Sequence, residues 1–299
     1  MLTQLSFKAP HVELKNLRNL WFHLTGLSCN LKCKHCYLGC FPNNKARSFL
    51  TMDKIKTALE ESKKYKIEEI YLTGGEPLLH PDINNIIRLT LKHTNVTILT
   101  NGTLINDKKA RFLRHIEQDF DNELIFRVSL DHYTEEKNDE IRGKGSFKKI
   151  LSGIDNLIRY GFNPIISVVN IWEESHDSLK QGFFDLLKKK GFELEEINLK
   201  IIPPIKIGEY SKNIQSYEEN EYVSNSNVGN TDKLDCANTR VLADNGIYAC
   251  PALVNDPRGK VGSSLINSSE KFFLEPNICY TCQSNKTGLL NNNWSNGTN

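Results

Sequence analysis

Three cysteines fall within eight positions, in the stretch Cys29-Asn-Leu-Lys-Cys33-Lys-His35-Cys36. The spacing C-x3-C-x2-C supplies three thiolates where a cubane iron–sulfur cluster ordinarily takes four, which would leave one iron open to another ligand. The competing chemistry is a structural zinc loop with His35 as the fourth donor, although zinc usually wants four close ligands in a closed site. A second group, Cys236, Cys250, Cys279 and Cys282, offers four thiols and no free position. Four cysteines with one C-x2-C pair suit either a fully ligated iron–sulfur cluster or a zinc ion. The eighth cysteine, Cys40, lies four residues after Cys36. It reads as a small buried side chain beside the loop, with a redox or substrate role as the sharper alternative.

Composition agrees with metal chemistry rather than disulfides. The stretch MLTQLSFKAPHVELKNLRNL has no apolar core long enough for a signal peptide, and no later run approaches a membrane span, so the expectation is a cytoplasmic protein. Lys+Arg 38 against Asp+Glu 36 leaves a net charge of +2, which implies no bulk attraction to nucleic acid. With 299 residues, 39% of them apolar and 25% charged, the chain suits one large α/β domain with a smaller companion.

The cysteine loop needs a frame to hold it. Leu20 to Gly26 is an aromatic-rich apolar run ending in glycine, as a buried strand delivering a loop would. A helix and strand rhythm follows: helix 51–66 into strand 68–75, helix 82–93 into strand 96–100, helix 107–120 into strand 125–130. A fourth helix with Ser146 as N-cap and Gly161 at its end leads to strand 163–169, and a fifth, opened near Ser178 with Gln181 as in a capping box, leads to strand 197–202. Strands alternating with helices predict a parallel sheet with right-handed crossovers. The cysteine loop, Gly74-Gly75-Glu76-Pro77, Asn101-Gly102 and Ser129-Leu130-Asp131 all sit at carboxyl ends of strands, where such sheets bind ligands. Residues 211–235 are Asn, Ser, Glu and Tyr rich, as in a linker or long surface loop, and 291–299 read as a disordered tail.

The C-x3-C-x2-C loop after a first strand, GGEP after a second and Ser129-Leu130-Asp131 at a later one together resemble the radical S-adenosylmethionine superfamily over roughly residues 20 to 204. The resemblance implies a partial (β/α)6 TIM-like barrel. A [4Fe-4S] cluster on Cys29, Cys33 and Cys36 would bind S-adenosylmethionine at its open iron and cleave it to a 5′-deoxyadenosyl radical. Gly74, Gly75, Glu76 and Pro77 match the segment whose backbone meets the cofactor's amine, although the same residues also suit an ordinary turn. Ser129 and Asp131 look like the family's polar pair, and Arg142 like the basic partner that forks onto the methionine carboxylate, with a solvated loop arginine as the alternative. His35 occupies a position where the family usually has an aromatic near the adenine, and Tyr37 adjoins it. Asn101 is divided between the cofactor mouth and a structural turn, and Asn170 would reach the ribose. A G-x-I-x-G-x-x-E adenine pattern is absent.

The second cysteine set resembles the Twitch form of the SPASM extension, which holds one auxiliary [4Fe-4S] cluster. The interval from Gly246 to Cys250 is one residue shorter than in SPASM domains. The expected organisation is a lead-in at 1–19, the barrel at 20–204, a linker at 205–235, the auxiliary-cluster extension at 236–290 and the tail at 291–299. The expected function is abstraction of hydrogen from a small-molecule or peptide substrate, initiating oxidation, bond formation or maturation. An external flavodoxin- or ferredoxin-type donor would supply electrons, the auxiliary cluster would accept one, and neither nucleic acid nor membrane is an expected partner. About twenty residues before the first strand are too few for a peptide-recognition domain, which favours a small molecule or a peptide presented by another protein. No catalytic acid or base is identified. The alternative from another class is a non-catalytic metal-binding module, a zinc scaffold or an electron carrier.

Overall fold

A computed structural model describes residues 10–191 and 198–284. The expected tail and Ile197, the predicted start of the sixth strand, lie outside them. Strand β1 (His11–Glu13) precedes a repeating unit: β2 (Asn19–His23), α1 (Met52–Ser62), β3 (Glu69–Thr73), α2 (Ile83–Leu91), β4 (Asn95–Thr100), α3 (Asp107–Gln118) and β5 (Leu124–Ser129). Then come α4 (Glu135–Arg142), α5 (Ser146–Arg159), β6 (Ile165–Val169), α6 (His176–Lys188) and β7 (Asn198–Ile202). Strands β2 to β7 pair in parallel in chain order, the (β/α)6 part-barrel that the helix and strand rhythm predicts.

Side-chain alternation explains why strands β2 to β5 are buried on both faces. Leu20 and Phe22, Ile70 and Leu72, Val96 and Ile98, and Phe126 and Val128 enter the core under the helices. The residues between them, Trp21, Tyr71, Thr97 and Arg127, belong to the opposite face of the pleat, towards the barrel interior. The helices supply the matching stripe, for example Ile150, Ile154 and Leu157 of α5.

Three local expectations change. The N-cap of α5 is Gly145 at φ 79°, while Ser146 is the first helical residue; its hydroxyl donates to Asp139, and Asn138 donates to it. Helix α6 opens at Ser175, whose side chain accepts from the Ser178 amide, so the Ser178 box is not the cap. Helix α4 was not foreseen, and Arg142 is its buried last residue rather than a solvated loop side chain.

The carboxyl-terminal extension is joined to the barrel sheet. It contains α7 (Glu209–Asn213), β8 (Thr239–Ala243), β9 (Gly246–Tyr248), β10 (Lys260–Gly262), β11 (Lys271–Phe273) and α8 (Pro276–Ser284). Strand β8 pairs in parallel with β2, and the antiparallel β9 and β10 complete a nine-stranded sheet in the order β10-β9-β8-β2-β3-β4-β5-β6-β7. Strand β11 pairs separately with β1. The stretch expected as a linker is largely irregular but pinned by buried Tyr210 and Val223 and by Lys206 to Glu221 at 2.7 Å. Among the described residues no helix is long and apolar enough to cross a membrane.

Candidate cofactor site at the barrel mouth

A cavity of about 220 Å³ opens at the carboxyl ends of the strands and is lined by Cys29, Cys33 and Cys36 together with Gly74, Gly75, Asn101 and Ser129. The loop that carries the thiols folds back through a bridge between Ser28 and Phe41, and Lys34 donates its amide to Ile141 of α4 at 2.9 Å. All three cysteines are free. The sulfurs already receive polar hydrogens: Leu31 N at 3.4 Å and Asn101 Nδ2 at 3.7 Å on Cys29, and Cys40 N at 3.3 Å on Cys36. Such donors suit sulfurs that carry negative charge. Burial pushes the Cys29 and Cys33 thiols up to about 11 and about 12, whereas donation from the Cys40 thiol holds Cys36 down at about 6. Cys40 is thus a buried neighbour of the loop that also lines the cavity.

The glycine pair serves the loop by close approach. A Cβ on Gly75 would lie 2.1 Å from the Ser28 carbonyl oxygen, and one on Gly74, at φ 144°, would lie 2.5 Å from Thr25 Oγ1. Gly75 N donates to Gly26 O and Glu76 N to Ser28 O, each at 3.0 Å. The Glu76 side chain turns away from the cavity. It is fully buried and accepts from Leu78 N at 3.1 Å and from Thr100 Oγ1 and Asn101 N at 2.8 Å each, locking the β3 turn to the β4 turn. Burial raises its carboxyl pKa. Pro77 starts a short 3-10 turn and is also buried behind the site.

Asp131 holds the far side of the mouth. Its Oδ2 lies 2.6 Å from His35 Nε2 and 2.6 Å from Arg142 Nε, and its Oδ1 accepts from Arg142 Nη2 at 3.0 Å and from Val169 N at 3.1 Å. Burial alone would raise this carboxyl, but Arg142 and His35 hold it well below the usual carboxylate range. His35, Tyr37, Ser129 and Arg142 line the cavity, while Asp131 stands behind them. Asn170 is outside the lining, closed onto Glu174 through Nδ2 to O at 2.8 Å and Glu174 N to Oδ1 at 3.1 Å. The sequence reading missed Trp21, Arg127 and Ser167, which line the same cavity.

The second cysteine set gathers beside it. Cys279 and Cys282 lie one turn apart on α8, Cys236 sits in the turn before β8, and Cys250 follows β9. The four pack around one apolar cluster, and Cys250 also lines the cavity. The Cys236, Cys250 and Cys279 thiols are raised by burial first and by neighbouring cysteines next, Cys236 to about 12. The Tyr37 phenol is raised by burial and then by Cys36 and Cys250, and its side chain packs against both apolar clusters that contain the cysteines. Among the described residues no group of three or more His, Cys, Asp and Glu side chains forms a site for a single metal ion. A cubane, whose thiolates attach to different irons, needs a wider cage than a zinc ion with bonds of about 2.3 Å. The three thiols of the loop converge on one cavity, a donor set that fits a cluster with one iron left open.

A parallel part-barrel with a thiol-lined cavity at the carboxyl ends of its strands defines a class of cofactor-using α/β protein. The family model "Radical SAM superfamily" matches residues 24–173, half of the chain, and the chain belongs to that superfamily. It is 30% identical over 202 residues to the antilisterial bacteriocin subtilosin biosynthesis protein AlbA of Bacillus subtilis, covering 64% of this chain and 43% of that one. It is 30% identical to a probable GTP 3′,8-cyclase of Methanocella arvoryzae over 57% of this chain and 53% of the relative. To the mycofactocin maturase MftC of Mycobacterium tuberculosis it is 31% identical, over 48% and 35%. The matched regions thus span about half or less of those relatives. The structure of native anSMEcpe with bound AdoMet shares the fold at TM-score 0.58 and 17% identity, over 90% of this chain and 81% of that one. Streptococcus suis SuiB gives 0.55 at 16%, over 83% and 63%.

Proposed function

We propose that the chain is a radical S-adenosylmethionine enzyme that modifies a peptide. The observation that carries the enzyme reading is the convergence of Cys29, Cys33 and Cys36 with Gly74, Gly75, Ser129, His35 and Arg142 on one cavity. Cys29, Cys33 and Cys36 would hold a [4Fe-4S] cluster and leave one iron for S-adenosylmethionine. When bound, this pair supplies the electron and the 5′-deoxyadenosyl group that together remove a hydrogen atom from the substrate. The protein's part is to bind, orient and keep water out. An ammonium needs acceptors, which the backbone of the Gly74-Gly75 turn lining the cavity would supply. Asp131 ion-pairs with Arg142 and keeps it charged, and Arg142 and Ser129 both line the cavity, where the guanidinium would meet a methionine carboxylate. The apolar walls formed by Trp21, Leu99, Val169 and Ile202 limit side reactions with solvent.

Cys236, Cys250, Cys279 and Cys282 would hold an auxiliary cluster. Full ligation favours passing electrons over binding substrate, and Tyr37 packs against both sets. A peptide substrate is supported by the relatives named for bacteriocin biosynthesis and mycofactocin maturation, a small molecule by the relative named as a GTP cyclase. A flavodoxin- or ferredoxin-type donor completes the proposal.

Anaerobic reconstitution with iron, sulfide, reductant and S-adenosylmethionine tests the reading. The wild-type chain is expected to release 5′-deoxyadenosine, and no release above a triple-alanine variant of Cys29, Cys33 and Cys36 overturns it. The same samples should carry about eight irons, falling to about four when the second cysteine set is replaced by alanine.

A further inference from the structure

Arg127 stands on β5 two residues before Ser129, on the same face of the strand and therefore roughly 6.6 Å deeper in the barrel. It is 4% exposed and lines the cavity. Its neighbours Phe126 and Val128 belong to the core under the helices, so the pleat fixes the guanidinium inward. Its polar contacts are long: Nε and Nη2 both donate to Ser167 Oγ at 3.4 Å, and Nη1 has no hydrogen-bond partner among the described residues. Glu69 and Asp235 face it, as does the second cation Lys200, but the Glu69 oxygens accept from Tyr71 and Thr97. Among the described residues no aspartate or glutamate lines the cavity itself. Arg142, the other guanidinium there, is already matched by Asp131 at 2.6 Å. Glu69 and Asp235 lend Arg127 negative charge, but its Nη1 donor is unmet among the described residues, and a buried donor without a partner is costly.

We propose that Arg127, with Ser167, receives an anionic oxygen group of the substrate, a carboxylate or a phosphate, below the layer where the cofactor is held. The proposal rests on the reading of this cavity as the reaction chamber. Guanidinium geometry suits both oxyanions through two parallel hydrogen bonds. The apolar side chains of Trp21, Leu99, Val169, Ile202 and Ala252 would cover the rest of the substrate, so the anion sets how deep it sits and which hydrogen is presented upward.

The test uses the reconstituted holoenzyme with S-adenosylmethionine bound, titrated calorimetrically with N-acetylglycine, its methylamide and inorganic phosphate. At least one anion should bind saturably while the methylamide does not. Arg127→Gln should weaken that binding about tenfold or more. Arg127→Lys, which keeps the charge and protects the fold, should weaken it less. The affinity for S-adenosylmethionine, read from its perturbation of the cluster's electron paramagnetic resonance spectrum, should stay within about twofold, since another residue clamps that carboxylate. Binding of N-acetylglycine alone supports a carboxylate substrate, and binding of phosphate alone a phosphorylated one. The proposal is overturned if neither anion binds the wild-type protein, if both variants bind as wild type does, or if Arg127→Gln loses S-adenosylmethionine instead. Failure of the enzyme reading would show separately, as wild-type protein that releases no 5′-deoxyadenosine.

Discussion

Asp131 lies fully buried between His35 and Arg142, with both oxygens accepting or ion-paired. Removing its charge would strand the Arg142 guanidinium in the interior, so Asp131→Asn is expected to cost about 3–5 kcal/mol in urea unfolding of the metal-free chain at pH 7. The pH dependence has a definite sign. Arg142 and His35 depress the folded carboxyl although burial opposes them. The stability it contributes is complete above about pH 5 and is lost as pH falls through the ordinary value of about 3.9 towards the lower folded one. The gap between wild type and variant should therefore hold constant above about pH 5 and narrow progressively as pH falls below about 4, and a gap that stays constant down to acid unfolding would refute the assignment. The family resemblance identified Asp131 as one of a polar pair and Arg142 as a basic partner that forks onto a cofactor carboxylate, but not that the two would bind each other. Partner choice depends on the path of α4, and EEKNDEIR has too few apolar positions to announce a helix. Arg127 went unread for a related reason: in an alternating strand an arginine reads as solvent-facing, and only closure of the sheet puts that face inside.

Turns rather than strands set the precision of the mouth. The GGE turn after β3 packs on the cysteine loop through backbone alone, with Gly75 against the Ser28 carbonyl and Glu76 bridging to the turn after β4. Gly75→Ala therefore forces two backbones apart, at an expected cost of about 2–3 kcal/mol and with impaired iron loading during reconstitution. Gly229→Ala, which meets only the Gln283 side-chain oxygen at 3.3 Å, serves as the control and should stay within about 0.5 kcal/mol. Equal effects on thermal unfolding and iron content would remove the argument that close approach, rather than turn conformation, selects glycine here. The motif's position was legible because an apolar run stops at paired glycines. Its purpose was not, since the sequence reading assigned the glycines to a ligand and the structure shows them first meeting Ser28 and Thr25. Strands β2 to β7 could be read because each is a run of apolar and β-branched residues followed by turn residues. Strands β9, β10 and β11 span three residues each, too few to display a period.

Across the whole molecule, the extension finishes the barrel. Strand β8 covers the β2 edge, and Leu242, Ile247 and Leu265 belong to the same apolar core as Leu20 and Phe22. Arg47, in the segment between the cysteine loop and α1, reaches Asp244 at 2.5 Å, Asn245 at 2.6 Å and the Val254 carbonyl at 2.7 Å. Pairing between residues about two hundred positions apart leaves no local trace, which is why the sequence reading treated the extension as an appended piece. The energetics of the joined sheet lead to a specific expectation. A chain cut after Pro204 would expose the backbone edge of β2, remove Leu242 and Ile247 from the core, and leave Arg47 without its carboxylate. Exposed parallel edges and truncated cores favour association over a soluble monomer. The 1–204 fragment should therefore elute as aggregate or lose its near-ultraviolet circular dichroism, and co-expression with residues 205–299 should restore a folded complex. The metal-free full chain should unfold in one transition, with the second cysteine set and the barrel losing structure together. A monomeric 1–204 fragment with native ellipticity, or two separated unfolding transitions in the full chain, would show that the extension only rests against a barrel that is complete without it.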